Sequence, residues 1–164
     1  MRRQNWNSNW IFSADGREGT VAVTLPHDAM QTETRTEESP GGSAVGYYLP
    51  NTYTYEKTFS APFDWEEKSI SLQFEGVYRN SKVYVNNAEA GGVPYGYIPF
   101  FVQLDGLLKY GCENTVRVVA DNSEMPNSRW YSGSPKWIRK RLTGSCLRRL
   151  IRSEFNENCE NGET

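Results

Sequence analysis

The chain has 164 residues and a net charge of −2, from 18 basic and 20 acidic side chains. That length fits one domain, or one domain and a tail, and falls short of the roughly 200 to 250 residues of a (β/α)8 barrel. The near-cancelled charge lacks the basic excess that a nucleic-acid partner needs; with hydrophobic residues at 37% and aromatics at 13%, large rings must fill the core.

Met1 to Phe12 carries two arginines but no apolar stretch, because Asn5, Asn7, Ser8 and Asn9 interrupt it. This is not the pattern of a secretory leader. No apolar run approaches the ~18 residues that span a bilayer. The expectation is a cytoplasmic protein with no membrane partner; a mature or clipped chain is the alternative.

From there the period is two almost everywhere, the mark of strands with one wet and one buried face. Val21, Val23 and Leu25 alternate with Ala22 and Thr24. Tyr53, Tyr55, Lys57 and Phe59 alternate with Thr54, Glu56 and Thr58, and Ile70, Leu72 and Phe74 with Ser69, Ser71 and Gln73. Val83 and Val85 oppose Lys82, Tyr84 and Asn86. Asn86-Asn87 then predicts a tight hairpin into a strand at Ala88 to Gly91. Ile98 to Leu104 (IPFFVQL) is apolar on both sides and predicts an interior strand. One helical turn is expected over Asp105 to Lys109, a turn over Lys109 to Asn114, and a strand in which Val116, Val118 and Ala120 oppose Arg117 and Asp121. Seven or eight short strands, without a long amphipathic helix before position 137, predict an all-β sandwich or barrel. Gln31 to Ser43 holds no large apolar residue and reads as a surface loop.

Cys112, Cys146 and Cys159 are odd in number and form no C-x-x-C pair, so reduced thiols are expected. With one histidine, His27, no zinc ligand set can be assembled. Without a G-x-S-x-G motif, His27 is expected to be structural. Neither a metal nor a cofactor is expected. Glu37-Glu38 and Glu66-Glu67 are adjacent pairs in polar, turn-like segments and read as solvated surface. Paired catalytic acids must instead converge from different elements, so no catalytic residue is assigned.

Several short motifs stand in order: Leu25-Pro26-His27-Asp28, Gly46-Tyr47-Tyr48-Leu49-Pro50 with Tyr55-Glu56-Lys57-Thr58-Phe59, Phe74-Glu75-Gly76-Val77 and Val83-Tyr84-Val85-Asn86-Asn87. Gly96-Tyr97-Ile98-Pro99-Phe100, Leu107-Leu108-Lys109, Glu113-Asn114, Asp121-Asn122 and Asn127 to Ser134 follow. Over about residues 5 to 134 this series resembles the N-terminal sugar-binding domain of glycoside hydrolase family 2, which includes β-galactosidases, β-glucuronidases and β-mannosidases. The resemblance implies a jelly-roll β-sandwich, galactose-binding-domain-like, over 1–134. In the family an immunoglobulin-like domain and a catalytic barrel with two glutamates follow. It implies a carbohydrate partner, a β-glycoside met through the parent enzyme, and leaves a homo-oligomer open for the full-length enzyme.

Four residues are candidate sugar contacts. Asn51 stands where a loop asparagine in several relatives reaches the barrel's sugar pocket; a turn asparagine is the competing reading. Arg129 lies near a position that is acidic in relatives, and its planar fork suits a carboxylate or adjacent hydroxyls. An ion pair with an acid such as Asp121 competes. Trp130 and Tyr131 offer rings for stacking, against a role in core or domain-interface packing.

After Ser134 the resemblance stops. The family usually continues with Gly-Ile-Tyr-Arg and a valine-rich strand that closes the sandwich, whereas Pro135-Lys136-Trp137-Ile138 follows here. Residues 135–164 run from basic to acidic, with Leu142, Leu147, Leu150 and Ile151 able to mark a short helix. The expectation is an irregular, helical or disordered tail, dispensable for the fold, from an out-of-frame or truncated end of a longer gene. A genuine short paralogue is the alternative. Trp137 and Ile138 could instead dock in the slot of the missing strand. The predicted function is carbohydrate binding and positioning for a retaining β-glycosidase, not catalytic alone. A free-standing carbohydrate-binding module and a domain kept for assembly are the rivals.

Overall fold

A computed structural model of the protein describes residues 2–123 and 154–158. In chain order the strands are β1 (Arg2–Asn5), β2 (Trp10–Ala14), β3 (Val21–Val23), β4 (Thr52–Ser60) and β5 (Ser69–Phe74). They continue with β6 (Ser81–Val85), β7 (Ala88–Gly91), β8 (Phe100–Gln103), β9 (Glu113–Asp121) and β10 (Glu154–Asn158). Three short 3-10 turns, at Ala29–Thr32, Gly42–Val45 and Phe63–Trp65, are the only helical elements among the described residues. No helix there is long and apolar enough to cross a membrane.

The strands form two antiparallel sheets. One has four strands in the order β1-β10-β5-β8, and the other six in the order β3-β2-β4-β9-β6-β7. The alternation read from the sequence sets their faces. Ile70, Leu72 and Phe74 of β5 are fully buried, as are Tyr53 and Tyr55 of β4, Val83 and Val85 of β6, and Val116, Val118 and Ala120 of β9. They belong to one hydrophobic cluster between the sheets, so the fold is an all-β sandwich. At the hairpin from β6 to β7, Asn86 and Asn87 have φ of 49° and 71°. Two left-handed residues in succession match the twist of the flanking strands, and asparagine tolerates that region better than most residues.

Lys57 keeps the alternation and therefore faces inward, 7% exposed. Its Nζ donates to the carbonyls of Trp6 at 3.0 Å and Ser8 at 2.6 Å, beneath the Trp6 ring at 4.7 Å. The ammonium ties the segment before β2 to the centre of the sandwich and stands in for a ladder at that point. Burial pushes its pKa down.

Four differences from the sequence reading have physical reasons. Among the described residues the strand within Ile98 to Leu104 is an edge strand, not an interior one, since β8 pairs there with β5 alone. Phe100 and Val102 turn inward while Phe101 is 61% exposed. The apolar character on both sides thus reflects one exposed ring rather than two buried faces. Over Asp105 to Lys109 the chain makes a reverse turn, Leu107 N–H donating to the Leu104 carbonyl at 3.0 Å, rather than a helical turn. Strands β1 and β2 add to those read from the sequence; in β2, Trp10, Phe12 and Ala14 are buried.

The fourth difference lies in the tail. Glu154–Asn158, read as irregular or helical, is strand β10 within the four-stranded sheet. Its register sets Phe155 opposite Leu72 and Glu157 opposite Ile70 of β5, with Gln4 and Arg2 of β1 on its other side. Paired on both sides, β10 is placed by its backbone donors and acceptors, which any extended segment offers whatever its composition. The domain boundary at 134, Trp137 with Ile138, and the helix expected around Leu142 to Ile151 lie outside the described residues.

Candidate functional site

Four strand ends meet at one end of the six-stranded sheet. Thr52 at the start of β4 pairs with Asp121 at the end of β9, Ala14 at the end of β2 with Tyr53, and Ser81 at the start of β6 with Ala120. The connection from β5 to β6 crosses between the sheets at this same end, through Val77 to Asn80. The loop before β8 ends there too, because Phe100 pairs with Phe74.

Asn51 sits at the centre of this rim. Its Oδ1 accepts from the Thr52 N–H at 2.8 Å, its Nδ2 donates to the Asp15 carbonyl at 3.3 Å, and its own carbonyl accepts from the Asn122 N–H at 2.9 Å. The side chain thus fixes the entry to β4. Asp121 Oδ1 accepts from Thr52 Oγ1 at 3.2 Å and from the Ser123 N–H at 2.8 Å. Hydrogen bonds from Ser123 hold its carboxyl below the usual range. Thr52 and the charge of Arg79 assist, while burial works the other way. Asp121 is ionised at neutral pH.

The crossing segment is held from two sides. Asn122 Nδ2 donates to the Tyr78 carbonyl at 3.0 Å, and the Asp121 N–H to the Arg79 carbonyl at 2.9 Å. Asn80 N–H donates to the Pro94 carbonyl at 3.2 Å. The loop before β8 then closes onto Tyr78. A Cβ at Gly96 would lie 2.7 Å from the Tyr78 Cα, so only glycine permits the approach. The Tyr78 and Tyr97 rings lie 5.3 Å apart at 58°, and those of Tyr95 and Tyr97 5.8 Å apart at 67°. Tyr95, Tyr97 and Ile98 remain 41%, 40% and 43% exposed. The sequence reading missed this cluster. Its signal was a Tyr-Gly-Tyr-Ile run between Pro94 and Pro99, too short and polar to be core.

Beneath the rim lies a polar layer. Tyr53 Oη donates to Glu33 Oε1 at 3.3 Å, and Glu33 pairs with Arg17. Tyr55 Oη and His27 Nδ1 share a hydrogen bond of 2.9 Å, and the imidazole packs on Phe12 at 4.8 Å. Burial drives both phenols well above the usual tyrosine range, so they stay protonated. Burial lowers the His27 pKa, opposed by the Asp28 charge. Asp28, 4% exposed, caps the 3-10 turn through Oδ1 to the Met30 N–H at 3.0 Å. These contacts hold the His27 imidazole between Phe12 and Tyr55.

Glu37, Glu38, Glu66 and Glu67 are exposed. Among the described residues no three His, Cys, Asp or Glu gather as a metal site. Arg129, Trp130 and Tyr131 lie outside the described residues, so the structure places only Asn51 of the four candidate contacts.

No family profile matches the chain. It is 36% identical over 141 residues to a β-galactosidase of Bacteroides ovatus, the match covering 80% of this chain and 17% of that enzyme. It is 34% identical over 137 residues to a putative β-glucuronidase of Formosa agariphila, covering 77% and 13%. The chain therefore spans less than a fifth of the length of these relatives. Among solved structures, a β-glycosidase of Bacteroides vulgatus aligns with a TM-score of 0.74 at 27% identity, over 96% of this chain and 20% of that one. A glycosyl hydrolase family 2 member of Bacteroides cellulosilyticus shares the fold, with a TM-score of 0.76 at 24% identity over 96% and 21%.

Proposed function

The chain belongs to glycoside hydrolase family 2, and from that premise we propose that it is the N-terminal carbohydrate-binding and positioning domain of a retaining β-glycosidase of the β-galactosidase kind, a jelly roll that is not catalytic alone. The observation that carries this reading is the 36% identity to a β-galactosidase over 141 residues, which includes the rim around Asn51.

Retaining hydrolysis needs two carboxyl groups about 5 to 5.5 Å apart, one as acid and one as nucleophile. The acid pairs read from the sequence are exposed and adjacent rather than convergent. What such a domain contributes is orientation. Holding the sugar against the reacting groups turns a bimolecular encounter into an intramolecular one, an effect that can supply several kcal/mol, on the order of 7 to 11 in the best cases. The rim suits that task, because Asn51, Asp121 and Asn122 lock four strand ends together.

Calorimetric titration of the full chain with methyl β-D-galactopyranoside and methyl β-D-glucuronide tests the reading. Binding in the millimolar range is expected for at least one β-glycoside, together with no release of p-nitrophenol from the matching chromogenic substrates. Turnover that survives repurification, or the absence of binding to both sugars, would overturn it.

A further inference from the structure

We propose that Tyr95 and Tyr97, backed by Tyr78, form a stacking platform for a neutral hexopyranoside, with the Asp121 side of the rim receiving its hydroxyls. This rests on the glycoside reading above and gives it a location. A pyranose has a C–H face that packs on an aromatic ring and an equatorial edge of hydroxyls that needs fixed acceptors. Tyrosine serves both needs, since its ring is apolar and its hydroxyl wet. Two exposed rings 5.8 Å apart, leaning on the third at 5.3 Å, provide the apolar part.

The backbone beneath this patch is fixed. A sugar gains little from a ring that must first be ordered. Here the Tyr78 backbone is fixed by Asn122 and its neighbour Arg79 by Asp121, while Gly96 lets the loop seat directly on Tyr78. Phe63 and Phe101, at 72% and 61% exposure, are more accessible but stand outside this rim. Position is the second argument. The same Asn122 that holds Tyr78 through its side chain donates its N–H to the Asn51 carbonyl, so platform and Asn51 are parts of one hydrogen-bonded rim. Charge sets the ligand class. The Asp121 carboxylate, held at the rim by the Thr52 hydroxyl and the Ser123 N–H, accepts from hydroxyls and repels a uronate.

The test is a titration of the 15N-labelled full chain with methyl β-D-galactopyranoside, followed by amide shifts. The expected result is saturable shifts at residues 78–80 and 95–98. Tyr97→Ala should weaken binding roughly three- to tenfold, while Phe101→Ala should bind as the parent does. An unchanged amide spectrum away from the substitution shows that the variants fold, and Tyr95→Ala supplies a second reading if Tyr97→Ala does not. Shifts confined to Asn51 and to residues beyond 123 would remove the platform and leave the glycoside reading standing. The absence of shifts anywhere would remove both. Tighter binding of methyl β-D-glucuronide would overturn the neutral class. Concentration-dependent broadening of the same amides without sugar, abolished by Tyr97→Ala, would make the patch an interface between copies and overturn the proposal.

Discussion

Phe74→Ala probes the packing between the two sheets. Phe74 is fully buried at the end of β5, and its ring stacks on Phe100 at 4.9 Å and 15°. Truncation removes the transfer energy of the ring and leaves a cavity beside Phe100. Such substitutions typically destabilise by ~3 to 5 kcal/mol. For a chain of this size each kcal/mol lowers the melting temperature by roughly 2 to 4 °C, so a fall of roughly 6 to 20 °C follows, out of a total stability of ~5 to 15 kcal/mol. Phe101→Ala is the matched control, one residue along β8 from Phe100 but exposed, and should change melting by no more than about 2 °C. Thermal melts followed by far-ultraviolet circular dichroism, with calorimetry to check the transition, give both values. A Phe74→Ala fall under about 3 °C would refute the packing argument.

Lys57→Met should lower stability by about 1 to 3 kcal/mol in chemical denaturation, because the Trp6 and Ser8 carbonyls lose their donor; equal midpoints would show that the ammonium is dispensable. The native imidazole of His27 holds its proton less tightly than the unfolded one at about 6.5. The unfolded chain therefore binds more protons below that value, and stability should fall as pH drops through about 6.5 and level off below the native pKa. The His27→Gln variant should lose that share of the pH dependence, and identical profiles of Tm against pH would count against it. Asn87→Gly should leave melting unchanged or raise it, whereas Asn87→Val should lower it by about 1 kcal/mol equivalent, since a β-branched residue resists φ of 71°. A chain ending at Ser153 loses the strand between β1 and β5 and should melt several degrees lower; unchanged melting would mean that β10 contributes nothing to the sheet.

The sandwich was legible wherever a strand alternates large apolar with polar residues, as in β4, β5, β6 and β9, because one buried face writes a period of two into the sequence. The Asn86-Asn87 hairpin was legible for a local reason as well, the left-handed turn it requires. Strand β2 was hidden by the asparagines before it and by Ile11 and Ser13, which blur the alternation of Trp10, Phe12 and Ala14. Strand β10 was illegible, since its sequence Glu-Phe-Asn-Glu-Asn holds one large apolar residue. Its place comes from pairing with residues about eighty and a hundred and fifty positions away, which no local pattern records. At the site, Asn51 was named from its place in a resembling motif, and its contacts hold the entry to β4. The tyrosine rim escaped notice because it exists only once the β5–β6 crossing brings Tyr78 under Tyr97.

The claim that this segment orients a sugar, rather than serving as scaffold, is tested most directly by transplantation. Residues 5–134 would replace the matched segment of the Bacteroides ovatus β-galactosidase, and kcat/KM would be measured for p-nitrophenyl β-galactoside and β-glucuronide. The account predicts an active chimera whose ratio of the two values differs from the parent's by roughly tenfold, the equivalent of about 1.4 kcal/mol in differential transition-state binding. An active chimera with the parent's ratio unchanged would contradict it and leave the domain a structural support alone.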